Sequence, residues 1–256
     1  MQTKTVLITG ASSGIGEACA KILAAHGARL ILTARRMERL NNLAAELKTE
    51  YETDCLTHQL DVSNNEAVQS FIKSLPAGWQ AIDVLVNNAG LALETDPIQS
   101  GNTDNWDTMI DTNVKGLLYV SRCVLPGMLA RERGHVVNIG SIAGQDCYLN
   151  GNVYSATKHA VRAITKSMRL DLSGSPIRVT EIAPGAVETE FSVVRWNDQQ
   201  RANAFYQDFN PLIAADIADA VHYCLTRPQH VDIAEMTIMP TDQAACSFIN
   251  RKGKTT

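Results

Sequence analysis

Tyr154-Ser155-Ala156-Thr157-Lys158 sets a phenol and an ammonium four residues apart, the first pair in this sequence suited by type and spacing to proton chemistry. On a helix that spacing places both side chains on one face, so they can share a site. A free tyrosine has a pKa near about 10, too high for a base at neutral pH, but a neighbouring cation favours the phenolate. Tyr154 can then take the proton of an alcohol as hydride leaves, or return it to a carbonyl. Ser141, thirteen residues upstream at the end of an apolar run, can hydrogen-bond the same oxygen and stabilise its developing charge. Tyr-x-x-x-Lys pairs are commonplace on helix surfaces, so this one gains weight only from its company.

A hydride carrier is the company it needs. Val6 to Gly16 runs from an apolar strand through Gly10-Ala11-Ser12-Ser13-Gly14-Ile15-Gly16 into a helix. Gly10 permits a tight turn, Gly14 lets backbone approach a pyrophosphate, Gly16 allows close packing, and the N–H groups of Ser12, Ser13 and Ile15 face the anion. The spacing is G-x-x-x-G-x-G rather than G-x-G-x-x-G, and alone it also reads as an ordinary strand-to-helix turn. Where the second strand ends, dinucleotide folds usually carry an acid for the adenosine ribose. Here the residues are Ala34-Arg35-Arg36, which lack the carboxylate and offer guanidinium groups to a 2′-phosphate. NADP(H) is therefore expected over NAD(H), with solvated helix-cap arginines as the alternative for either residue.

These residues need a scaffold, and the hydrophobic pattern supplies one. Apolar runs near 4–9, 29–33, 55–60, 83–87, 134–139, 177–183 and 235–239 alternate with amphipathic stretches near 15–26, 37–50, 64–73, 107–132, 154–173 and 214–226. The pattern predicts a single doubly wound Rossmann-type α/β domain over residues 1–240, a parallel seven-stranded sheet with helices on both faces. The 256 residues, 45% hydrophobic and 20% charged, can bury a real core, and no apolar run reaches the roughly 18 residues of a membrane helix. The mild net charge of −4, with bases interspersed among acids, gives no nucleic-acid face. Six cysteines without C-x-x-C or Cys/His spacing predict reduced thiols and no metal site. With no basic leader ahead of the strand at Val6–Ile8, a cytoplasmic chain is expected.

Residues 188–212 break the rhythm, setting Arg195, Trp196, Phe205, Tyr206 and Phe209 among polar residues, and are expected to form a substrate lid. Arg195 is the first cation in it and a candidate clamp for a substrate carboxylate; the competing reading pairs it with Asp198 or Glu188 at the surface. The tail, 241–256, is expected to contact another subunit or to be partly disordered.

Taken together, Gly10-x-x-x-Gly14-x-Gly16, Asp61-Val62, Asn87-Asn88-Ala89-Gly90, Asn113, Ser141, Tyr154-x-x-x-Lys158 and Pro184-Gly185 resemble the short-chain dehydrogenase/reductase family over nearly the whole length. The resemblance implies that Asp61 and Val62 hold the adenine edge, and that Asn87, Asn88, Ala89 and Gly90 line the cofactor and brace the central strand. It implies that Asn113 completes a Ser-Asn-Tyr-Lys tetrad and that Pro184, Gly185, Val187 and Thr189 hold the nicotinamide end. Asn87, Asn88 and Asn113 also admit purely architectural roles. Asn88 to Leu93, Trp106 to Asn113, Gly151 to Tyr154 and Phe191 to Trp196 are further similar to NADP-dependent 3-hydroxy acid dehydrogenases, which implies small 3-hydroxy acid substrates and a homotetramer. A broad-specificity carbonyl reductase and a catalytically silent NADP(H) sensor are the alternatives. The intact tetrad argues against the second, and only the pocket separates the first.

Overall fold

The computed structural model describes Met1 and residues 3–252. These residues form a seven-stranded, wholly parallel sheet in the order β3-β2-β1-β4-β5-β6-β9. Its strands are β1 (Thr5–Thr9), β2 (Arg29–Ala34), β3 (Cys55–Gln59), β4 (Ile82–Asn87), β5 (Gly134–Ile139), β6 (Ile177–Pro184) and β9 (Glu235–Ile238). Because parallel strands are covered on both faces, their residues alternate between two cores. Val6, Ile8, Leu30 and Leu32 face one side with helices α1 (Gly14–Ala25), α2 (Met37–Tyr51) and α9 (Ala214–Leu225). Leu7, Leu85, Val136 and Val179 face the other with α3 (Asn65–Ser74), α5 (Leu117–Ala130) and α6 (Asn152–Asp171).

Chain order reverses between β1 and β4, which lie side by side, so a crevice opens at their carboxyl ends. Every site-bearing segment leaves the sheet at that edge.

The structure shifts one element bound and adds detail in two segments the sequence left without secondary structure. The helix expected at 107–132 begins earlier, as α4 (Thr103–Ile110), because the Asn102 side chain accepts from Asp104 N and Asn105 N and caps it. It then widens into a π-helical turn, Asp111–Gly116, before continuing as α5. Residues 188–212, expected only as a polar lid, contain two short helices, α7 (Phe191–Trp196) and α8 (Gln199–Phe205). The segment is pinned at its base where β7 (Val187–Glu188) pairs with β8 (Leu212–Ile213). Residues 241–252 fold as a hairpin of β10 (Gln243–Ala245) and β11 (Phe248–Ile249) against the same chain. Arg251 donates to the carbonyls of Phe205 and Gln207, and Asn210 N donates to Asp242, so this segment braces the lid. The rest of the expected tail, 253–256, lies outside the described residues.

Candidate active site

The glycine-rich turn is shaped as its chemistry requires. Gly10 and Gly14 have φ of +66° and +57°, a region costly to any residue with a Cβ. A Cβ on Gly16 would come within 2.5 Å of the Asn88 amide nitrogen, so α1 can approach β4 only with glycine there. Asn88 Nδ2 donates to the carbonyls of Thr9 and Gly10, while Thr9 Oγ1 accepts from Asn88 N and Ala89 N. The architectural role open to Asn88 is thus explicit: it fixes the turn against the end of β4.

From this turn a cleft of about 310 Å³ follows the crevice. It is lined by Gly10, Ser12, Ser13, Gly14, Ile15, Arg35, Arg36, Asp61, Val62, Asn88, Ala89, Gly90, Ser141, Tyr154, Lys158, Pro184, Gly185, Val187 and Thr189. Gly16, Asn113 and Arg195 stand outside that lining. Leu60, Thr112, Glu190, Phe191 and Val194 also line the cleft, none of them singly assigned a site role from the sequence.

At the adenosine end the two arginines are not equivalent. Arg36 donates from Nε and Nη2 to Ser12 Oγ (3.2 Å each), from Nη2 to Ser13 Oγ (2.7 Å) and from Nη1 to Glu190 (2.9 Å). Arg39 takes the other oxygen of Glu190 at 2.6 Å. Among the described residues the Arg35 guanidinium has no hydrogen-bond or ion-pair partner, which leaves its five donors for a ligand. Asp61 turns inward on Ser63, accepting from its N–H and hydroxyl, and so closes the loop beyond β3.

Ser141 leaves β5 immediately after Gly140, and its Oγ accepts from Ala143 N at 3.1 Å. Tyr154 and Lys158 rise from the first turns of α6 on one face. The Lys158 ammonium is buried, donates to the Ile139 carbonyl at 2.9 Å and lies 5.9 Å from the Tyr154 ring centroid. Burial lowers the Lys158 pKa to about 8, with Glu181 opposing the fall. Enclosure pushes the Tyr154 hydroxyl up to about 12, while Arg195 and Ser141 pull it down. Tyr154 is half-buried, its ring edge open to the cleft and its hydroxyl surrounded by protein. Without further positive charge it is a proton donor rather than a base.

Asn113 explains the π turn. Its Oδ1 accepts from Leu91 N (2.8 Å), and its Nδ2 donates to the Leu91 carbonyl (2.8 Å) and Thr157 Oγ1 (3.1 Å). The side chain ties the β4 loop to α6 one residue before Lys158, and the helix widens where that bridge is made. Asn87 is buried away from the cleft, donating to Ser121 and Asn138.

The segment after Pro184-Gly185 is gripped by residues the sequence did not reveal. Gln243 Oε1 accepts from Ala186 N at 2.8 Å, and the Tyr206 hydroxyl donates to the Val187 carbonyl at 2.7 Å. From the lid Arg195 reaches back over aromatic rings, 4.9 Å from the Tyr154 centroid, 5.0 Å from Phe191, 5.7 Å from Tyr148 and 5.9 Å from Trp196. Its Nε is buried with no hydrogen-bond partner, and the guanidinium stands beside the buried Tyr148 hydroxyl, whose pKa it pulls down against burial. Asp198 instead caps α8, and among the described residues no acid forms an ion pair with Arg195.

The cradle fits a dinucleotide phosphate: positive-φ glycines, free backbone donors at the start of α1 and a guanidinium to spare beside it. Comparison with known proteins agrees. The short chain dehydrogenase family matches residues 4–200. An NADP-dependent 3-hydroxy acid dehydrogenase of Salmonella typhi is 48% identical over 241 residues, 93% of this chain and 96% of the relative. Sulfoacetaldehyde reductase 2 of Chromohalobacter salexigens is 46% identical over 245 residues, 95% and 96% of the two chains. The closed form of a serine dehydrogenase complexed with NADP+ superposes with a TM-score of 0.90 at 46% identity, covering 95% of this chain and 98% of the other.

Proposed function

The chain belongs to the short-chain dehydrogenase family, and from that premise we propose that it moves hydride between NADP(H) and the C3 hydroxyl or carbonyl of a small 3-hydroxy acid. It is an NADP-dependent oxidoreductase acting on CH–OH groups. The bound cofactor supplies the hydride acceptor or donor. Tyr154 carries the proton: it donates to the carbonyl oxygen in reduction and takes the hydroxyl proton in oxidation. Ser141 hydrogen-bonds that oxygen, and Lys158 adds positive charge that favours the phenolate. Asn113 holds the Lys158 end of α6 against the β4 loop.

The observation that carries the substrate class is the Arg195 guanidinium, half-buried over Tyr154 among aromatic rings, with an unpartnered Nε and no acid. Such a group calls for an anion, and it stands over the Tyr154 ring, 4.9 Å from its centroid. Arg195 thus reads the substrate carboxylate and presents C3 to Tyr154.

Association as a homotetramer is supported by apolar side chains left exposed on α4, α5 and α6: Ile110, Leu118, Leu129 and Leu170, the last 76% exposed. A cytoplasmic location is supported by six free cysteines.

The test is a panel of 3-hydroxy acids, a sulfonated aldehyde, and neutral ketones and aldehydes, assayed with NADP(H) and NAD(H) by nicotinamide absorbance. Arg195→Met is expected to raise KM for the acids by about one to two orders of magnitude, the size of a bond to a charged group. Neutral substrates should change little. A wild-type preference for neutral ketones would make the chain a general carbonyl reductase, and equal loss on acids and neutrals would remove Arg195 from charge recognition. A preference for the sulfonate would change the acid but keep the role of Arg195.

A further inference from the structure

A row of polar side chains crosses the sheet directly beneath the site. Asn87, Asn138, Glu181 and Glu235 are register neighbours on β4, β5, β6 and β9. At one end Asn87 Nδ2 donates to Asn138 Oδ1, and Asn138 Nδ2 to Thr165 Oγ1, at 2.9 and 3.0 Å. At the other end Arg162 and Gln145 donate to Glu235 at 3.0 and 2.8 Å. Glu181, between them, is 1% exposed, and its Oε1 has no hydrogen-bond partner. A buried carboxyl with an empty acceptor is a poor architectural choice on a face whose neighbours along β6 are Ile177 and Val179.

That oxygen sits under the catalytic turn. A Cβ on Gly140 would collide with it, so the carboxyl holds this position beneath a glycine and would have to shift for any larger residue. Gly140 joins Ile139, whose carbonyl receives the Lys158 ammonium, to Ser141. Lys158 is buried, and a buried ammonium needs a counter-charge. Glu181 is the acid that acts on it.

Resting on the reading that Tyr154 and Lys158 perform the reaction, we propose that Glu181 is a positioning residue: its carboxylate, held beneath Gly140, is the counter-charge that keeps the Lys158 ammonium protonated beside Tyr154. The charged groups facing Glu181 are Lys158, Arg162 and Lys166 from α6 and Glu235 from β9; burial and Glu235 raise its pKa to about 7, the three cations opposing. The titratable and charged groups facing the Tyr154–Lys158 pair are Glu181 from β6, Arg195 from the segment 188–212, Tyr148 from the loop before α6 and Cys246 from the turn between β10 and β11. The sign follows. Below about pH 7 Glu181 is protonated and gives little; above it the carboxylate holds the Lys158 proton to higher pH.

The test is Glu181→Gln, which keeps the shape and removes the charge. The kcat/KM profiles of variant and wild type should coincide near pH 6 and part above pH 7, with the alkaline decline of the variant displaced down by about one pH unit. The cofactor-free proteins give a second readout: the Lys158 Cε resonance of 13C-lysine protein, identified by its loss in Lys158→Met, should titrate about one unit lower in Glu181→Gln. Glu181→Asp, which retains the charge, should keep the wild-type midpoint. Coincident profiles and midpoints, or a loss uniform in pH, overturn the proposal. Absence of NADP-linked turnover by the wild type would instead sink the functional reading, while the resonance would still report on Glu181.

Discussion

Arg35 and Arg36 stand side by side at the adenosine end, yet their bonding predicts different penalties on removal. Among the described residues the Arg35 guanidinium has no partner, so Arg35→Ala is expected to remove only what it offers to the 2′-phosphate. A hydrogen bond to a charged group is worth about 1.5–3 kcal/mol, and solvent exposure of this side chain places the loss near the lower value, about a tenfold rise in KM for NADP. NAD has no 2′-phosphate, so its KM should stay the same. Arg36→Ala also strips the bonds to Ser12 and Ser13 and one of the two ion pairs on Glu190. The bonds from its charged guanidinium to the serine hydroxyls contribute near the low end of the range for a charged group at this exposed site, about 1.5 kcal/mol each, and the exposed ion pair about 0–1 kcal/mol. The turn they brace is the proposed cradle for the pyrophosphate of either cofactor, so KM should rise several-fold for NAD and further for NADP. Initial rates against each cofactor, at one saturating hydroxy acid and at two ionic strengths, separate these terms, because added salt should shrink the Arg35 effect. Equal weakening of NAD and NADP by Arg35→Ala would refute phosphate recognition by Arg35. An Arg36→Ala penalty confined to NADP would refute the bracing role of the serine bonds.

Tyr154→Phe should bind NADPH with unchanged affinity by fluorescence titration while losing about 10² to 10⁴ in kcat, the usual worth of a general acid or base; retention of a tenth of the activity would remove Tyr154 from the proton path. His135 is buried, bonded to Thr180 Oγ1 at 2.8 Å, and burial depresses its pKa from 6.5 to about 3. The unfolded chain therefore binds a proton there that the folded one refuses: this contribution is complete above pH 6.5 and erodes by about 1.4 kcal/mol per pH unit as pH falls towards 3. Urea midpoints from pH 7 to 5 should fall less steeply in His135→Gln, and identical slopes would place the acid sensitivity elsewhere.

What the sequence made legible was local. The strand Val6–Ile8 and the glycines after it announce themselves because turn, strand and helix start lie within a dozen residues. Tyr154 and Lys158 are one helical turn apart, so their shared face follows from the period alone. The true start of α4 is not among the legible features, because its cap Asn102 is one asparagine in the polar run Ser100 to Asn105, with no apolar period to mark it. Illegible were the long-range ties. Arg36 meets Glu190 across 154 residues, and the Asn113 bridge that widens a helix joins chain positions 22 and 44 residues away. The helices of six and seven residues in the lid are too short to show a period, although the Asp198 that caps the second has the type expected of a cap.

Those ties decide what the lid can do. Its entry is held by Glu190 to Arg36 and Arg39, beside the phosphate-binding turn. Its middle is bolted to the cofactor segment by the Tyr206 hydroxyl, which donates to Val187 and bonds Ser192. Its exit is braced by Asp242 and Arg251 of the terminal hairpin, whose Gln243 also grips Ala186. Arg195 lies between these anchors, over Tyr154. A long arginine carried on a free loop would sample many positions, and an ion pair made that way returns little after ordering its side chain. Held from the cofactor segment and from the hairpin, its guanidinium has a fixed place relative to the phenol, and a misplacement on the order of 1 Å there is enough to cost a hundredfold in rate. The sequence types that look like polar filler between two apolar elements are therefore what sets the distance between the group that would read the acid and the group that moves the proton.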